Sequence, residues 1–174
     1  MEQPRAAMLV IGDELLSGRT HDANMHYLAK ELTEIGINLT EARFIRDDPA
    51  AIVSSIIELS KRFDYLFTSG GIGPTHDDIT TDCVAEAFEK KASIRSEALK
   101  ILQEYYDGKD IELNEARLRM ARIPETAELI DNPISAAPGY VIENVYVMAG
   151  VPKIFQSMLK LSLIHISEPT RHAS

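Results

Sequence analysis

Of 174 residues, one is cysteine and none is tryptophan, and basic residues are scarce: 18 Lys and Arg stand against 27 Asp and Glu, a formal net charge of −9. A single cysteine excludes a disulfide framework and any Cys-based zinc cluster. The acidic balance argues against a nucleic-acid or membrane-surface partner, because such a surface repels polyphosphate backbones. A local pocket for a small anion stays open. No apolar run reaches the roughly 18 residues of a membrane span. Met1-Glu2-Gln3-Pro4-Arg5 lacks the charged-then-apolar layout of a secretory signal. With 45% apolar residues the chain can bury a real core, so a single cytoplasmic domain is expected.

Several signatures are missing too. Gly71-Ile72-Gly73 is not followed by the third glycine of a dinucleotide fingerprint, and no glycine precedes Lys and then Ser or Thr as a Walker loop requires. There is no G-x-S-x-G elbow and no H-E-x-x-H helix. Dehydrogenase, kinase, serine hydrolase and zinc protease all lose support.

What is present reads as alternating strands and helices. Ala6 to Ile11 is a continuous apolar run, the mark of a strand covered on both faces. Met25, Leu28, Ala29, Leu32 and Ile35 recur at helical spacing before the stop at Gly36. Ile37 to Ile45 reads as a second strand, and Asp48-Pro49 as the cap and first turn of a second helix. Tyr65 to Thr68 is a third strand, and a helix is expected from about Thr80. Further helices are expected over Ser96–Tyr106 and Glu112–Arg122, then strands at Glu128–Ile130, Gly139–Glu143 and Val145–Met148, the last two a hairpin turning at Asn144. A helix carrying Ile154, Phe155, Met158 and Leu159 follows Gly150-Val151-Pro152. The pattern predicts an α/β fold: a three-layer αβα sandwich with a mostly parallel sheet and a small β-hairpin.

In such a sheet, ligands bind beyond the carboxyl ends of the strands. The first three strands empty into Gly12-Asp13-Glu14-Leu15-Leu16-Ser17-Gly18-Arg19, into Arg46-Asp47-Asp48, and into Ser69-Gly70-Gly71-Ile72-Gly73-Pro74-Thr75-His76-Asp77-Asp78. Glycines let backbone N–H groups approach a phosphate, and carboxylates beside them are hard oxygen ligands suited to Mg²⁺. Together these loops suggest metal-dependent chemistry on a phosphoanhydride. Each piece alone has a plainer reading. The glycines make a tight turn, Asp77 and Asp78 favour the positive end of the next helix, and Asp48 is a cap, which leaves Asp47 freer. His21 and His26, five apart, share no helix face; Cys83 reads as packing. Arg19, Arg46 and Lys153 are candidate anion contacts or plain surface charge.

The first loop, continued through Thr20, Asp22 and Asn24, resembles the opening of the MoaB/Mog molybdopterin-binding domain, in its CinA-like branch (competence/damage-inducible protein A, N-terminal domain). Thr68-Ser69-Gly70-Gly71-Ile72-Gly73-Pro74-Thr75-His76-Asp77-Asp78-Ile79-Thr80 is similar to that branch's most distinctive stretch. Asn132-Pro133, Ala137-Pro138-Gly139 and Gly150-Val151-Pro152 resemble later motifs in the right order. Ser135-Ala136 stands where the family often has Gly-Thr.

The resemblance implies a pocket for molybdopterin or an adenine nucleotide, and a homo-oligomer, dimer or trimer. The activity implied for the CinA-like branch is hydrolysis of a nucleotide pyrophosphate of the ADP-ribose or FAD type, with Mg²⁺, Mn²⁺ or Co²⁺. The alternatives are adenylylation of molybdopterin, as in the Mog branch, and a non-catalytic pterin- or nucleotide-binding module. Carried onto matching positions, Asp78 is the key aspartate and Asp47 the second acidic position, with Asp77 joining them in catalysis. Asp77 and Asp78 are the implied metal ligands. Gly70, Gly71, Gly73 and Thr75 would line the phosphate site, Asp13 and Glu14 the opposite wall, and Gly12, Ser69, His76, Gly150 and Pro152 complete the substrate contacts.

Residues 161–171, Leu-Ser-Leu-Ile-His-Ile-Ser-Glu-Pro-Thr-Arg, resemble the conceptual translation of a transposon adapter used in sequencing libraries. The expected organisation is therefore a molybdopterin- or nucleotide-binding domain over 1–160 and a non-native tail over 161–174, the natural protein having continued beyond Lys160.

Overall fold

The computed structural model describes residues 2–167. Its first strand, β1 (Arg5–Ile11), is buried from Ala6 onward. It lies between β2 (Asn38–Ile45) and β3 (Tyr65–Ser69), parallel to both. Beyond β3 the sheet adds β8 (Val145–Met148), parallel to β3, then β7 (Gly139–Ile142) and β6 (Glu128–Ile130), each antiparallel to its neighbour. The order is β2-β1-β3-β8-β7-β6.

The unbroken apolar run of β1 has a direct structural cause. Ala7, Leu9 and Ile11 join one core cluster and Ala6, Met8 and Val10 the other, since successive side chains point to opposite faces. The first cluster is closed by α3 (Pro49–Arg62), α4 (Thr80–Ala87) and α5 (Ser96–Gly108) through Ile52, Ile56, Leu59, Val84, Ala98 and Leu102. The second is closed by α2 (Asn24–Glu34) and α7 (Pro152–Ser167) through Leu28, Leu32, Phe155, Met158 and Leu159. Each fully buried Val, Leu, Ile, Phe or Met side chain among these contributes roughly 1.5–3 kcal/mol. The three-layer αβα architecture is as the sequence predicts. Asp48 caps α3 by accepting from the Ala51 N–H at 3.1 Å, and Cys83 is core, its thiol pushed up to about 11 by burial.

The middle of the chain departs from expectation. In place of one helix over Glu112–Arg122 there is a short α6 (Glu115–Leu118), a 3₁₀ turn (Arg119–Ala121) and β5 (Arg122–Pro124). Asn114 caps α6 through the Arg117 N–H, so helix starts three residues late. At the other end Pro124 pushes Ile123 toward extended backbone, and Ile123 is buried. β5 pairs antiparallel with β4 (Ala92–Ile94) in a separate two-stranded sheet. The Arg95 guanidinium holds that unit together by donating to the carbonyls of Ala127 at 3.0 Å and Pro124 at 2.9 Å.

The expected β7–β8 hairpin forms, but inside the main sheet; Asn144 anchors its turn by donating to the carbonyls of Ser60 and Phe63. At the far end α7 runs past Lys160 to Ser167, with Ser162 and Leu163 buried. The rest of the adapter-like stretch, 168–174, lies outside the described residues.

Candidate functional site

The chain moves outward from β1 to β2, then crosses back to lay β3 on the other side of β1. That reversal opens a crevice at the carboxyl ends of β1 and β3, where doubly wound sheets take their ligands. A cavity of about 560 Å³ occupies it, walled by Ile11 and Glu14 after β1, Ser69 to Pro74 after β3, and Ala149 to Pro152 after β8.

The glycine loop is a fixed turn. Gly70 and Gly71 hold φ of +102° and +79°, backbone that other residues adopt only under strain. Thr80, fully buried at the start of α4, closes it: its hydroxyl donates to the Gly70 carbonyl at 2.9 Å and its N–H to the Gly71 carbonyl at 3.0 Å. A Cβ on Gly70 would overlap the Ile11 carbonyl oxygen, and one on Gly150 would lie 3.2 Å from Gly70 Cα. The ends of β1, β3 and β8 thus meet backbone to backbone.

The carboxylates fall into two groups. Asp13 opens the four-residue helix α1 (Asp13–Leu16), and it and Asp47 embrace reciprocally: the Asp13 N–H donates to Asp47 Oδ2 at 3.2 Å and the Asp47 N–H to Asp13 Oδ1 at 2.9 Å. Burial raises the Asp47 carboxyl above its ordinary value, the Asp13 N–H opposes that rise, and the charges of Asp13, Glu14 and Asp78 add to it. Asp78 closes the other side. Its Oδ2 accepts from the Thr75 N–H at 2.9 Å and the Thr75 hydroxyl at 2.8 Å, and a Cβ on Gly73 would sit 2.8 Å from the same oxygen.

The predicted residues do not all meet. Glu14, Ser69, Gly70, Gly71, Gly73, Asp78, Gly150 and Pro152 line the cavity; Gly12, Asp13 and Asp47 stand behind Glu14. Thr75 and His76 face a second cavity of about 420 Å³, which shares the Gly73–Asp78 wall. Asp77 lines neither cavity; its side chain is 80% exposed, 3.5 Å from His76. Among the described residues no three His, Cys, Asp or Glu side chains gather as a metal site. Arg19, Arg46 and Lys153 line neither cavity, and no other Lys or Arg lines the larger one.

Three contributors escape the sequence reading. Asn24, at the start of α2, is 3% exposed and donates from Nδ2 to Ser69 Oγ at 3.2 Å and to the Gly150 carbonyl at 3.0 Å, fastening β3's loop to β8's. Its place in the Asp22-x-Asn24 motif is the signal; its role needs the fold. His21, which shares no helix face with His26, stands on the cavity wall. Asn132 shapes the wall opposite the glycine loop: its Oδ1 accepts from the N–H groups of Ile134 and Ser135, and its Nδ2 donates to Ser135 Oγ and the Ala137 carbonyl.

Comparison with known proteins places this geometry. The family profile described as a probable molybdopterin binding domain matches residues 7–168. A Pyrococcus horikoshii protein is 35% identical over 171 residues, covering 91% of this chain and 67% of its own. A CinA-like protein of Kosmotoga olearia is 34% identical, covering 92% of this chain and 40% of its own. The chain thus spans about two thirds of the first and well under half of the second. The crystal structure of CinA from Thermoplasma acidophilum, a protein described as of unknown function, superposes with a TM-score of 0.85 at 31% identity over 93% of this chain and 98% of that one. The tungsten cofactor synthesizing protein MoaB of Pyrococcus furiosus shares the fold at a TM-score of 0.62 and 17% identity, over 99% of this chain and 98% of its own. No described helix is long and apolar enough to cross a membrane. The chain belongs to the MoaB/Mog molybdopterin-binding-domain family, in its CinA-like branch.

Proposed function

We propose that the larger cavity binds a phosphate-bearing pterin or adenine nucleotide and that the chain transfers an adenylyl group to the pterin. The carrying observation is the glycine loop, held open by Thr80 with Asp78 at its rim, at the topological switch point. Glycine there leaves room for a ligand to reach the backbone, and the 560 Å³ suits a single pterin or nucleoside. Relatives of this fold are named for molybdopterin biosynthesis, which favours transfer over hydrolysis. In the transfer, a pterin phosphate oxygen bonds to the α-phosphorus of ATP as the α–β anhydride bond breaks, and pyrophosphate leaves with the bonding pair.

The charge of the site fits a divalent cation arriving with its substrate. Glu14, Asp22 and Asp78 line a cavity that has no Lys or Arg, so its side-chain charges repel a phosphate that enters alone. Mg²⁺ commonly binds through one or two carboxylates plus substrate phosphates and water. Asp78 and Glu14 are the residues that would hold the ion; bound, it would neutralise phosphate charge. The same acidic wall favours a second reading, water in place of the pterin phosphate and cleavage of ADP-ribose or FAD to AMP.

Product analysis separates the readings. The chain is incubated with ATP and molybdopterin, and separately with ADP-ribose and FAD, with and without Mg²⁺, Mn²⁺ or Co²⁺. Adenylylated pterin, lost in Asp78→Asn, supports transfer; AMP from ADP-ribose or FAD alone supports hydrolysis. Ligand-dependent stabilisation without product, about 2.7 kcal/mol at a hundredfold excess over Kd, leaves a binding module. Absence of both product and ligand-dependent stabilisation overturns the assignment of the cavity.

A further inference from the structure

The second cavity carries the arginines that the first lacks. His76, Arg119 and Arg122 face it, together with the carboxylates of Asp78 and Asp82 and the hydroxyl-bearing Thr75 and Thr81, whereas neither Lys nor Arg lines the larger cavity. The two are neighbours: Ile72, Gly73 and Asp78 belong to both walls. The partition is thin because Gly73 has no side chain and Asp78 is folded back onto Thr75. Neither guanidinium is consumed by the protein. Arg119 has one long bond, from Nη1 to the Pro74 carbonyl at 3.4 Å. Arg122 gives Nη2 to Asp82 at 2.8 Å and to the Ala92 carbonyl at 3.4 Å, leaving Nε and Nη1 without a bond among the described residues. A planar fork with free donors suits phosphate oxygens.

We infer that this second cavity is a polyphosphate subsite, taking the β- and γ-phosphates of a nucleoside triphosphate whose nucleoside lies in the larger cavity and whose α-phosphate sits at the Gly73–Asp78 partition. The inference rests on the nucleotide reading of the larger cavity. It assigns to Arg119 and Arg122 the neutralisation of the leaving pyrophosphate, a task that no residue of the larger cavity can perform. Asp82 holds Arg122 over the pocket and leaves part of its fork free. The subsite also distinguishes the substrate class: a triphosphate gains these contacts and a monophosphate does not.

Calorimetric titration of the whole chain with ATP, AMP and inorganic pyrophosphate, each with Mg²⁺, tests it. The expected result is ATP binding at least tenfold more tightly than AMP. In Arg119→Ala and in Arg122→Ala that ratio falls to within about threefold, AMP affinity stays within twofold of wild type, and pyrophosphate binding weakens in parallel. Arg119 is exposed and carries no packing, so its variant keeps the test valid if loss of the Asp82 pair unfolds Arg122→Ala. A full ATP-to-AMP ratio in folded Arg119→Ala, or wild type binding AMP as tightly as ATP, overturns the subsite and spares the nucleotide reading. Failure of wild type to bind any nucleotide overturns both.

Discussion

Gly70→Ala is the most exacting check on the site's geometry, because two separable penalties meet at one atom. The first is conformational. At φ +102° an L-residue bears strain of about 1–2 kcal/mol, partly offset by about 0.4–1 kcal/mol from a less flexible unfolded chain. The second is steric. The new Cβ would overlap the Ile11 carbonyl oxygen, which belongs to a buried central strand and has no rotamer to escape into, so a shift of packed backbone adds about 1–3 kcal/mol. The sum is about 3 kcal/mol, and for a domain of this size each kcal/mol moves Tm by about 2–4 °C, so a drop of about 6–12 °C is expected. Gly18→Ala supplies the control: its φ is +82°, yet nothing lies within 4 Å of a Cβ there. It bears only the conformational penalty, about 1 kcal/mol net, or about 2–4 °C. Thermal unfolding of both variants by circular dichroism gives the answer. Equal drops in Tm would refute the claim that β1 and β3 meet backbone to backbone at the cavity floor.

Asp47→Asn should be more stable than wild type at pH 7. A carboxyl raised by burial and neighbouring charge holds its proton more tightly when folded, so stability falls as pH climbs from the unfolded value of about 3.8 through the folded one. The advantage should shrink as pH falls toward 4, and urea titrations at the two pH values would expose a constant difference as contrary. Asn24→Ala removes the bonds to Ser69 and Gly150 from a buried position and should lose about 1–3 kcal/mol together with nucleotide affinity. A denaturation midpoint unchanged from wild type would contradict its role as a fastener. Truncation after Lys160 removes Leu163 from the core and should cost about 2 kcal/mol while leaving residues 1–160 folded; loss of cooperative unfolding would show that the domain needs the later turns of α7.

The elements legible in sequence are those whose signal is local. The Ala6–Ile11 run, the Asp48-Pro49 start and the spacing of α2 carry their cause within a few residues, and the structure has them where expected. The Glu112–Arg122 segment does not, because its helical spacing competes with three influences. Asn114 starts the helix late, Pro124 forces extension behind it, and Ile123 gains more by pairing opposite Ser93 than by another helical turn. The first two were present in the sequence; the third depends on a strand some thirty residues away.

The same departure from a single helix builds the second cavity. On an uninterrupted helix, Arg119 and Arg122 are three apart and read as one solvated face. On a 3₁₀ turn and a short strand they converge instead on the loop after β3, beside Thr75 and His76. The sequence offers Arg19, Arg46 and Lys153 as candidate anion contacts. The fold leaves those three outside both cavities and brings cations from a part of the chain with no motif. A chain of net charge −9 can hold a polyphosphate only where it segregates its few free cations from its carboxylates. Here both arginines lie to one side of the line from Gly73 to Asp78, Arg122 paired there with Asp82, while the cavity on the other side has carboxylates and no arginine. A phosphoanhydride bound across that line would have its reacting phosphorus at the boundary between the two fields, its leaving group drawn toward the arginines and its incoming partner on the side a divalent cation must screen.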